Sequence, residues 1–218
     1  MSGPLARLVG APAETAETFG DPPGEPDLFP AEAAAVARAV PKRRAEYATV
    51  RACARTALAR LGAPRVPLLP GERGAPGWPP GFVGSMTHCA GYRGAAVARA
   101  ADLAGIGIDA EPADPLPDPG ILPLISLPEE RAMLTELAAR RPGVAWDRLL
   151  FSAKESVYKA WFPLTRRWLD FGEAGITIDP DTGTFTARLL PEDAPLRTFP
   201  GRWTAGGGLL LTAVVLPA

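Results

Sequence analysis

The sequence predicts an α+β fold made of two comparable halves, and three observations support this class. A chain of 218 residues with 47% apolar content is long enough to bury a core. Helix-type periodicity is followed by strand-type runs twice along the chain. A proline-rich stretch over 112–126 separates the two series. We therefore place the halves at residues 1–112 and 113–218, with a similar order of elements but no residue-level repeat.

The first half begins as loop and continues as helices and then strands. Pro41 favours the first turn of a long helix, because its fixed φ suits that position and its missing N–H costs nothing there. Gly62 favours the end of the same helix. In chain order we predict loop with one edge strand at 1–30, a helix at 31–40, a helix at 42–61, a Pro/Gly-rich connector at 63–81, two strands within 82–98 and a strand at 103–112.

The second half repeats this order. Leu127-Pro-Glu-Glu130 opens a helix that runs to about residue 140, and Trp146 begins another. We expect Pro163 to end that second helix, because proline interrupts helical hydrogen bonding. Strand-type runs follow at 175–178, 184–189, 202–205 and 209–216.

Composition limits the classes of partner. The formal net charge of −1 creates no overall electrostatic field that would attract nucleic acid or a membrane, so any anion site must be built locally.

The cysteines and the absence of targeting segments indicate the compartment. Cys53 and Cys89 lack metal-type spacing and are expected as reduced thiols. The N-terminus shows no apolar run typical of a signal peptide, and no stretch is long enough to span a membrane. We expect a cytoplasmic protein.

Basic side chains are concentrated on the helix at 42–61. Arg44, Arg51 and Arg55 share one face by spacing, and Arg43 lies near the helix start. A solvated basic face is one interpretation, and a phosphate-binding face is the other, because guanidinium groups match phosphate oxygens. In the connector, Arg73 lies in a glycine-bounded loop that could bring a cation close to an anion.

Two further segments carry polar groups suited to phosphate and metal. His88, the only histidine, follows Ser85 and Thr87, so hydroxyl and imidazole groups lie together. Asp109 and Glu111 end a strand and project to one side, since side chains two residues apart share a face. They are either a solvated strand end or a site for Mg²⁺, which prefers such oxygen ligands.

The helix over 151–162 has two unlike faces. Leu150, Ala153, Val157 and Trp161 form an apolar stripe by three- and four-residue spacing. Glu155 and Lys159 project side by side on the opposite face, and Lys154 lies at the edge of the stripe. Taken alone, this pattern has two interpretations: a surface helix with a weak ion pair, or a helix whose charged face forms part of a site.

Three segments together resemble a known family. They are Gly84-Ser-Met-Thr-His-Cys-Ala-Gly-Tyr92, Gly107-Ile-Asp-Ala-Glu111 and Phe151-Ser-Ala-Lys-Glu-Ser-Val-Tyr-Lys159. Their order and spacing resemble the Sfp-type 4′-phosphopantetheinyl transferases, on the branch of the enterobactin synthase component D proteins and the mycobacterial enzyme. Residues 42–51 and 160–171 extend the similarity, which covers about 38–216.

The resemblance implies a pseudo-symmetric, usually monomeric α+β fold with coenzyme A bound between the halves. It implies transfer of the 4′-phosphopantetheine arm to a serine of an apo acyl or peptidyl carrier protein, with release of adenosine 3′,5′-bisphosphate. Such a holo-carrier-protein synthase serves polyketide, nonribosomal peptide, siderophore or fatty-acid biosynthesis. It has no nucleic-acid or membrane partner.

The resemblance also assigns site residues. Asp109, Glu111 and Glu155 resemble metal-binding carboxylates that converge in the cleft around Mg²⁺, with Mn²⁺ as the alternative. Ala110 contributes a carbonyl, and Trp168 to Phe171 line the pantetheine channel. The predicted catalytic residues are Glu155, Lys159 and Asp109. The predicted CoA-binding residues are Arg43, Arg51, Arg73, Thr87, His88, Asp109, Lys154, Glu155 and Lys159.

One residue of this chain departs from the family pattern. Relatives often carry a basic residue where this chain has Pro70, so one phosphate contact is missing or supplied elsewhere.

Two other functions would share features of the predicted site. An Mg²⁺-dependent hydrolase of CoA-type diphosphates would use the same carboxylates with water as nucleophile. An inactive CoA-binding or carrier-binding protein would need no intact carboxylate set, yet Asp109, Glu111 and Glu155 are all present.

Overall fold

A computed structural model describes residues 3–24, 27–192 and 194–218. Within these ranges it has six α-helices and eight strands, which confirms the α+β prediction. The elements are α1 Pro4–Val9, β1 Glu14–Phe19, α2 Pro30–Ala35, α3 Pro41–Arg60, β2 Phe82–Cys89, β3 Tyr92–Arg99, β4 Leu103–Pro112, α4 Leu122–Ile125, α5 Pro128–Arg140, α6 Trp146–Thr165, β5 Ala174–Asp179, β6 Thr184–Leu189, β7 Thr198–Gly206 and β8 Leu209–Pro217.

The strands form two antiparallel sheets. The first has the order β1-β3-β2, and α3 packs on it through Ala54, Ala57 and Leu58. The second has the order β4-β8-β7-β6-β5 and packs against α6. Strand β4 therefore pairs with the last strand of the chain. The division of the chain at residue 112 stays a prediction, and β4 is the strand that joins its two parts.

Side-chain hydroxyls connect the two sheets where the edge strands β2 and β4 run side by side. The backbone N–H of Ile108 donates to Ser85 Oγ at 3.1 Å, and the N–H of Ala110 donates to Thr87 Oγ1 at 2.9 Å. Both hydroxyls are buried. These bonds satisfy β4 N–H groups that would otherwise lack partners, and they fix the carboxylate-bearing end of β4 against β2.

Helix α6 lies directly on β4 because of a glycine. A Cβ at Gly107 would lie 1.9 Å from the carbonyl oxygen of Ser156 and 2.7 Å from the backbone nitrogen of Ala160. Real Cβ atoms essentially never make contacts that short, so only glycine permits this approach. The apolar stripe of α6 is fully buried, as predicted, which leaves Glu155 and Lys159 on a different side of the helix.

Three sequence expectations about the helices are wrong. The helix predicted at 31–40 is shorter: α2 ends at Ala35, and Val36 leaves the helical conformation with φ −116° and ψ 15°. Pro163 does not end α6, which continues to Thr165 and ends at Arg166 in a left-handed conformation with φ 56°. One missing N–H near the end of a helix is tolerated because the turn is closed by Arg166 N–H, which donates to the Phe162 carbonyl at 2.8 Å. The segment 1–30 contains the predicted edge strand, β1, but it also contains α1 where we predicted loop. A helix of six residues is too short to show a recognisable periodicity in the sequence.

No helix in the described part of the chain is both long enough and apolar enough to cross a membrane.

Candidate active site

A cavity of about 360 Å³ lies between α3, β2, α6 and the connector near residue 73. It brings together six predicted site residues from four separate parts of the chain. Tyr47, Met86 and Phe162 supply apolar surface beside them. The six residues are Arg43, Arg51, Arg73, His88, Glu155 and Lys159.

The basic face of α3 is partly internal. Arg55 Nη1 lies 2.9 Å from Glu32 Oε1, and Arg51 Nε donates to the Leu68 carbonyl at 2.7 Å. The Arg51 guanidinium also lies 3.1 Å from the centre of the Tyr47 ring. Burial lowers the pKa of Arg51 to about 10. The solvated interpretation is therefore wrong for Arg51 and Arg55, and of these two arginines Arg51 is the one that lines the cavity.

A polar cluster at the other end of the cavity holds the histidine. Arg43 Nη1 contacts His88 Nε2, and both side chains approach Glu46 Oε2, at 3.5 Å and 3.7 Å. Burial and the neighbouring Arg43 charge lower the pKa of His88, which keeps the ring neutral near pH 7. Glu46, one turn after Arg43, was not predicted, although its three-residue spacing from Arg43 is a signal for such a pair.

Arg73 connects two walls of the site. Its backbone is left-handed, with φ 52°, and its guanidinium lies 5.1 Å from the centre of the Trp168 ring. At this distance a cation is attracted to the face of an indole ring. Pro70 also lines the cavity and forms a bridge to Pro76, so the departure from the family pattern lies in the cavity wall itself.

The carboxylates of β4 share one side of the strand, as their two-residue spacing predicts, and that side faces α6. Lys159 Nζ lies 2.6 Å from Asp109 Oδ1, and Arg148 Nη1 lies 2.8 Å from Glu111 Oε2. Arg148 was not predicted as part of the site. Its distance from Glu155 is seven residues, or about two helical turns, and this places it on the same face of α6.

Glu155 has no hydrogen bond or salt bridge within the described residues, and its surroundings raise the pKa of its carboxyl. Burial raises the pKa of Glu155 most, Lys159 lowers it, and the charges of Asp109 and Glu111 raise it. Burial and then Asp109 raise the pKa of Glu111, while Arg148 lowers it. The three carboxylates are therefore close enough to interact electrostatically.

Across residues 3–24, 27–192 and 194–218, no group of three or more His, Cys, Asp or Glu side chains is already arranged to hold a metal ion. Lys159 and Arg148 occupy oxygens of Asp109 and Glu111. The donor set nevertheless fits a hard divalent cation: among the described residues, Asp109 Oδ2 is buried without a partner and Glu155 is unpaired. An orphaned carboxylate oxygen beside further carboxylates is an arrangement that a cation would satisfy.

Thr87 and Lys154 have internal partners. Thr87 Oγ1, besides accepting from Ala110, lies 3.5 Å from Asp109 Oδ1. Lys154 is 3% exposed and donates to the Phe171 carbonyl at 2.7 Å. Neither side chain lines the first cavity, and the predicted contacts of both with CoA stay predictions.

A second, smaller cavity of about 170 Å³ adjoins the first. It is lined by the predicted channel segment 168–171, together with Lys154 and Ala174. Glu155 and Tyr158 line both cavities. The Tyr158 hydroxyl is buried without a partner in the described structure. Glu155 therefore lies where a basic cavity meets an aromatic one.

This arrangement agrees with two family matches. The 4′-phosphopantetheinyl transferase N-terminal domain matches residues 31–98, and the 4′-phosphopantetheinyl transferase superfamily matches residues 105–212. The chain belongs to the 4′-phosphopantetheinyl transferase superfamily. The resemblance drawn from the sequence motifs is thus confirmed. The two matches meet between the end of β3 and the start of β4.

Similar proteins cover nearly the whole chain. The 4′-phosphopantetheinyl transferase Svp of Streptomyces mobaraensis is 62% identical over 98% of this chain and 89% of its own length. The transferase PptT of Mycobacterium tuberculosis is 53% identical over 92% of this chain and 91% of its own. Enterobactin synthase component D of Salmonella typhi is 33% identical over 79% and 72%. Membership and these relatives identify the activity as 4′-phosphopantetheinyl transfer.

Proposed function

We propose that the chain transfers the 4′-phosphopantetheine arm of coenzyme A to a serine of apo acyl or peptidyl carrier proteins. Adenosine 3′,5′-bisphosphate is the other product. The observation that supports this most is the position of Glu155 at the junction of a basic and an aromatic cavity. A substrate with an anionic nucleotide at one end and an uncharged arm at the other matches both cavities at once.

The nucleotide end belongs in the first cavity. Arg43, Arg51, Arg73 and Lys159 provide positive charge there, although the whole chain carries a net charge of −1. Neutral His88 adds a hydrogen-bonding group. Because Arg51 is fixed by the Leu68 carbonyl and the Tyr47 ring, it loses little side-chain entropy when it meets a phosphate.

The arm belongs in the second cavity, beside Trp168 and Phe171. The Tyr158 ring lies 5.1 Å from the Trp168 ring and forms part of the same wall. Apolar walls around an uncharged arm, together with cations around the nucleotide, would hold the bond to be broken beside Glu155. Such positioning is a large part of catalysis in phosphoryl transfer.

Asp109, Glu111 and Glu155 would hold Mg²⁺, or Mn²⁺, with the Ala110 carbonyl as a further oxygen. When bound there, the cation neutralises charge on the pyrophosphate of CoA. The fit is supported by Asp109 Oδ2, which is buried and has no partner in the part of the chain that the structure describes, and by the oxygen-only donor set.

The residues of the chain perform the proton and charge steps. Glu155 accepts the proton of the carrier serine. The serine oxygen bonds to the β-phosphorus as the bond from that phosphorus to the bridging oxygen breaks. Lys159, already 2.6 Å from Asp109, compensates charge on the departing adenosine 3′,5′-bisphosphate.

A panel of apo carrier domains, incubated with CoA and Mg²⁺ and measured by intact mass, tests this function. Transfer adds the mass of one phosphopantetheine arm to a carrier and requires both CoA and Mg²⁺. Hydrolysis of CoA without any change of carrier mass would support the diphosphate hydrolase instead. CoA binding without either reaction would support an inactive binding protein. The carriers that react assign the pathway: polyketide, nonribosomal peptide, siderophore or fatty acid.

A further inference from the structure

Two buried glutamates occupy equivalent places in the two parts of the chain. Glu32 lies in the first turn of α2, after Phe29-Pro-Ala, and Glu130 lies in the first turn of α5, after Leu127-Pro-Glu. Each carboxylate accepts the backbone N–H of the residue three positions earlier, at 3.0 Å from Phe29 and 2.6 Å from Leu127. Their exposed fractions are 0% and 1%.

Each glutamate also pairs with a cation on the next long helix. Glu32 Oε1 lies 2.9 Å from Arg55 Nη1 on α3, and Glu130 Oε2 lies 2.8 Å from Lys154 Nζ on α6. In sequence, these partners follow the glutamates by 23 and 24 residues. The motif is thus a residue-level correspondence between the two parts of the chain, which the sequence alone did not reveal.

Each glutamate then holds a segment that leads to one of the cavities. Glu32 accepts the Leu68 N–H at 2.8 Å, and the Leu68 carbonyl accepts Arg51 Nε of the first cavity. Glu130 accepts the Ile176 N–H at 2.7 Å, and its partner Lys154 donates to the Phe171 carbonyl of the second cavity. The two carboxylates therefore act on different walls.

A contribution to the stability of the fold is not enough to explain these two buried ion pairs. A buried ion pair pays a large desolvation cost and is often no more stabilising than apolar residues of similar volume. Charge-assisted hydrogen bonds do, however, fix direction as well as distance. Burial lowers the pKa of Lys154, which agrees with an ammonium enclosed among protein groups.

We propose that Glu32 and Glu130 are positioning residues, each serving one end of the substrate. Glu32 fixes Arg51 and the connector at the nucleotide end, and Glu130, through Lys154, fixes the segment at 168–173 at the arm end. This inference rests on the proposed placement of CoA in the two cavities. It assigns Lys154 an internal role in place of a direct contact with phosphate.

The two roles can be separated with ligands that share one end only. Adenosine 3′,5′-bisphosphate carries the nucleotide but lacks the arm, whereas CoA carries both. Calorimetric titration of the full-length chain should show that Glu130→Gln weakens CoA about tenfold, the order expected for losing one charge-assisted hydrogen bond, while the bisphosphate binds as before. Glu32→Gln should weaken both ligands by a similar factor.

Glu129→Gln is the matched control, because Glu129 is exposed and adjacent to Glu130 on α5. It should change neither affinity. If Glu130→Gln does not fold, Lys154→Met provides the same test, since it leaves the bonds of Glu130 to Leu127 and Ile176 in place. Lys154→Met should also spare the bisphosphate.

Equal weakening of both ligands by Glu130→Gln or Lys154→Met would overturn the proposal, because it would indicate a general loss of structure or a direct phosphate contact. Unchanged CoA affinity in these variants would overturn it as well. The result is independent of transfer: a wild-type chain that binds both ligands but modifies no carrier would refute the proposed function and leave this binding comparison valid.

Discussion

Gly107→Ala is the substitution whose effect follows most directly from the geometry. The added Cβ would lie 1.9 Å from the Ser156 carbonyl oxygen, and ordinary contact begins at 3.4 Å. Helix α6 and β4 must therefore separate by about 1.5 Å, because the atoms that collide are backbone atoms that cannot rotate away. Lys159 lies just 2.6 Å from Asp109 across the same interface, so this separation acts on the site.

We expect Gly107→Ala to lower the rate of arm transfer about 100-fold, as misplacement by about 1 Å does elsewhere. The overpacking should also lower the free energy of unfolding by about 1–3 kcal/mol. Single-turnover transfer to an apo carrier gives the rate, and chemical denaturation gives the stability. The variant should remain folded at 25 °C, because a typical domain has about 5–15 kcal/mol to lose.

Gly105→Ala is the matched control. The nearest atom to its added Cβ would be the Ala160 carbonyl oxygen, at 3.5 Å, which is an ordinary van der Waals contact. It should transfer the arm at the wild-type rate. The reasoning is refuted if Gly107→Ala is equally active, or if the two alanine variants lose activity to the same extent.

Two other substitutions test single contacts. Arg148→Met removes the partner of Glu111 and the bonds that Arg148 makes to the carbonyls of residues 114 and 115, so we expect kcat to fall about tenfold with CoA affinity unchanged. An unchanged kcat would show that Glu111 needs no such support. His88→Asn tests the pH dependence of stability. The pKa of His88 is lowered in the folded state, so the unfolded chain binds the proton more readily. The free energy of unfolding of the wild-type chain should therefore fall as pH drops below about 6.5. Thermal unfolding of the ligand-free protein at pH 7 and pH 5 should show a smaller loss in His88→Asn, and an equal loss in both proteins would contradict the assignment.

The parts of the fold that sequence predicted are those governed by short-range pattern. The stripe from Leu150 to Trp161 has helical spacing, and the structure buries it. Asp109 and Glu111 alternate along a strand, and both face α6. In each case one periodicity determines which side of an element a residue occupies, so neighbouring residues contain the necessary information.

The parts that sequence did not predict depend on long-range partners. The solvated interpretation of Arg51 and Arg55 is wrong because the carboxylate that pairs with them, Glu32, lies about 20 residues earlier on another helix. The prediction that α6 ends at Pro163 is wrong because the energetic cost of a proline in a helix depends on how much of the helix follows it. Arg148 belongs to the site because β4 packs against α6, and this long-range contact brings Arg148 to Glu111.

Transfer to an apo carrier by Glu155→Gln tests the central claim most directly. The amide keeps the size of the side chain but can neither take up the serine proton nor supply a carboxylate charge. Single-turnover reactions with CoA and Mg²⁺, measured by intact mass beside a CoA titration, should show CoA affinity close to wild type. The transfer rate should fall by at least about 100-fold, the order of a general-base contribution. Transfer at the wild-type rate would show that Glu155 is neither the base nor an essential carboxylate, and would contradict the mechanism.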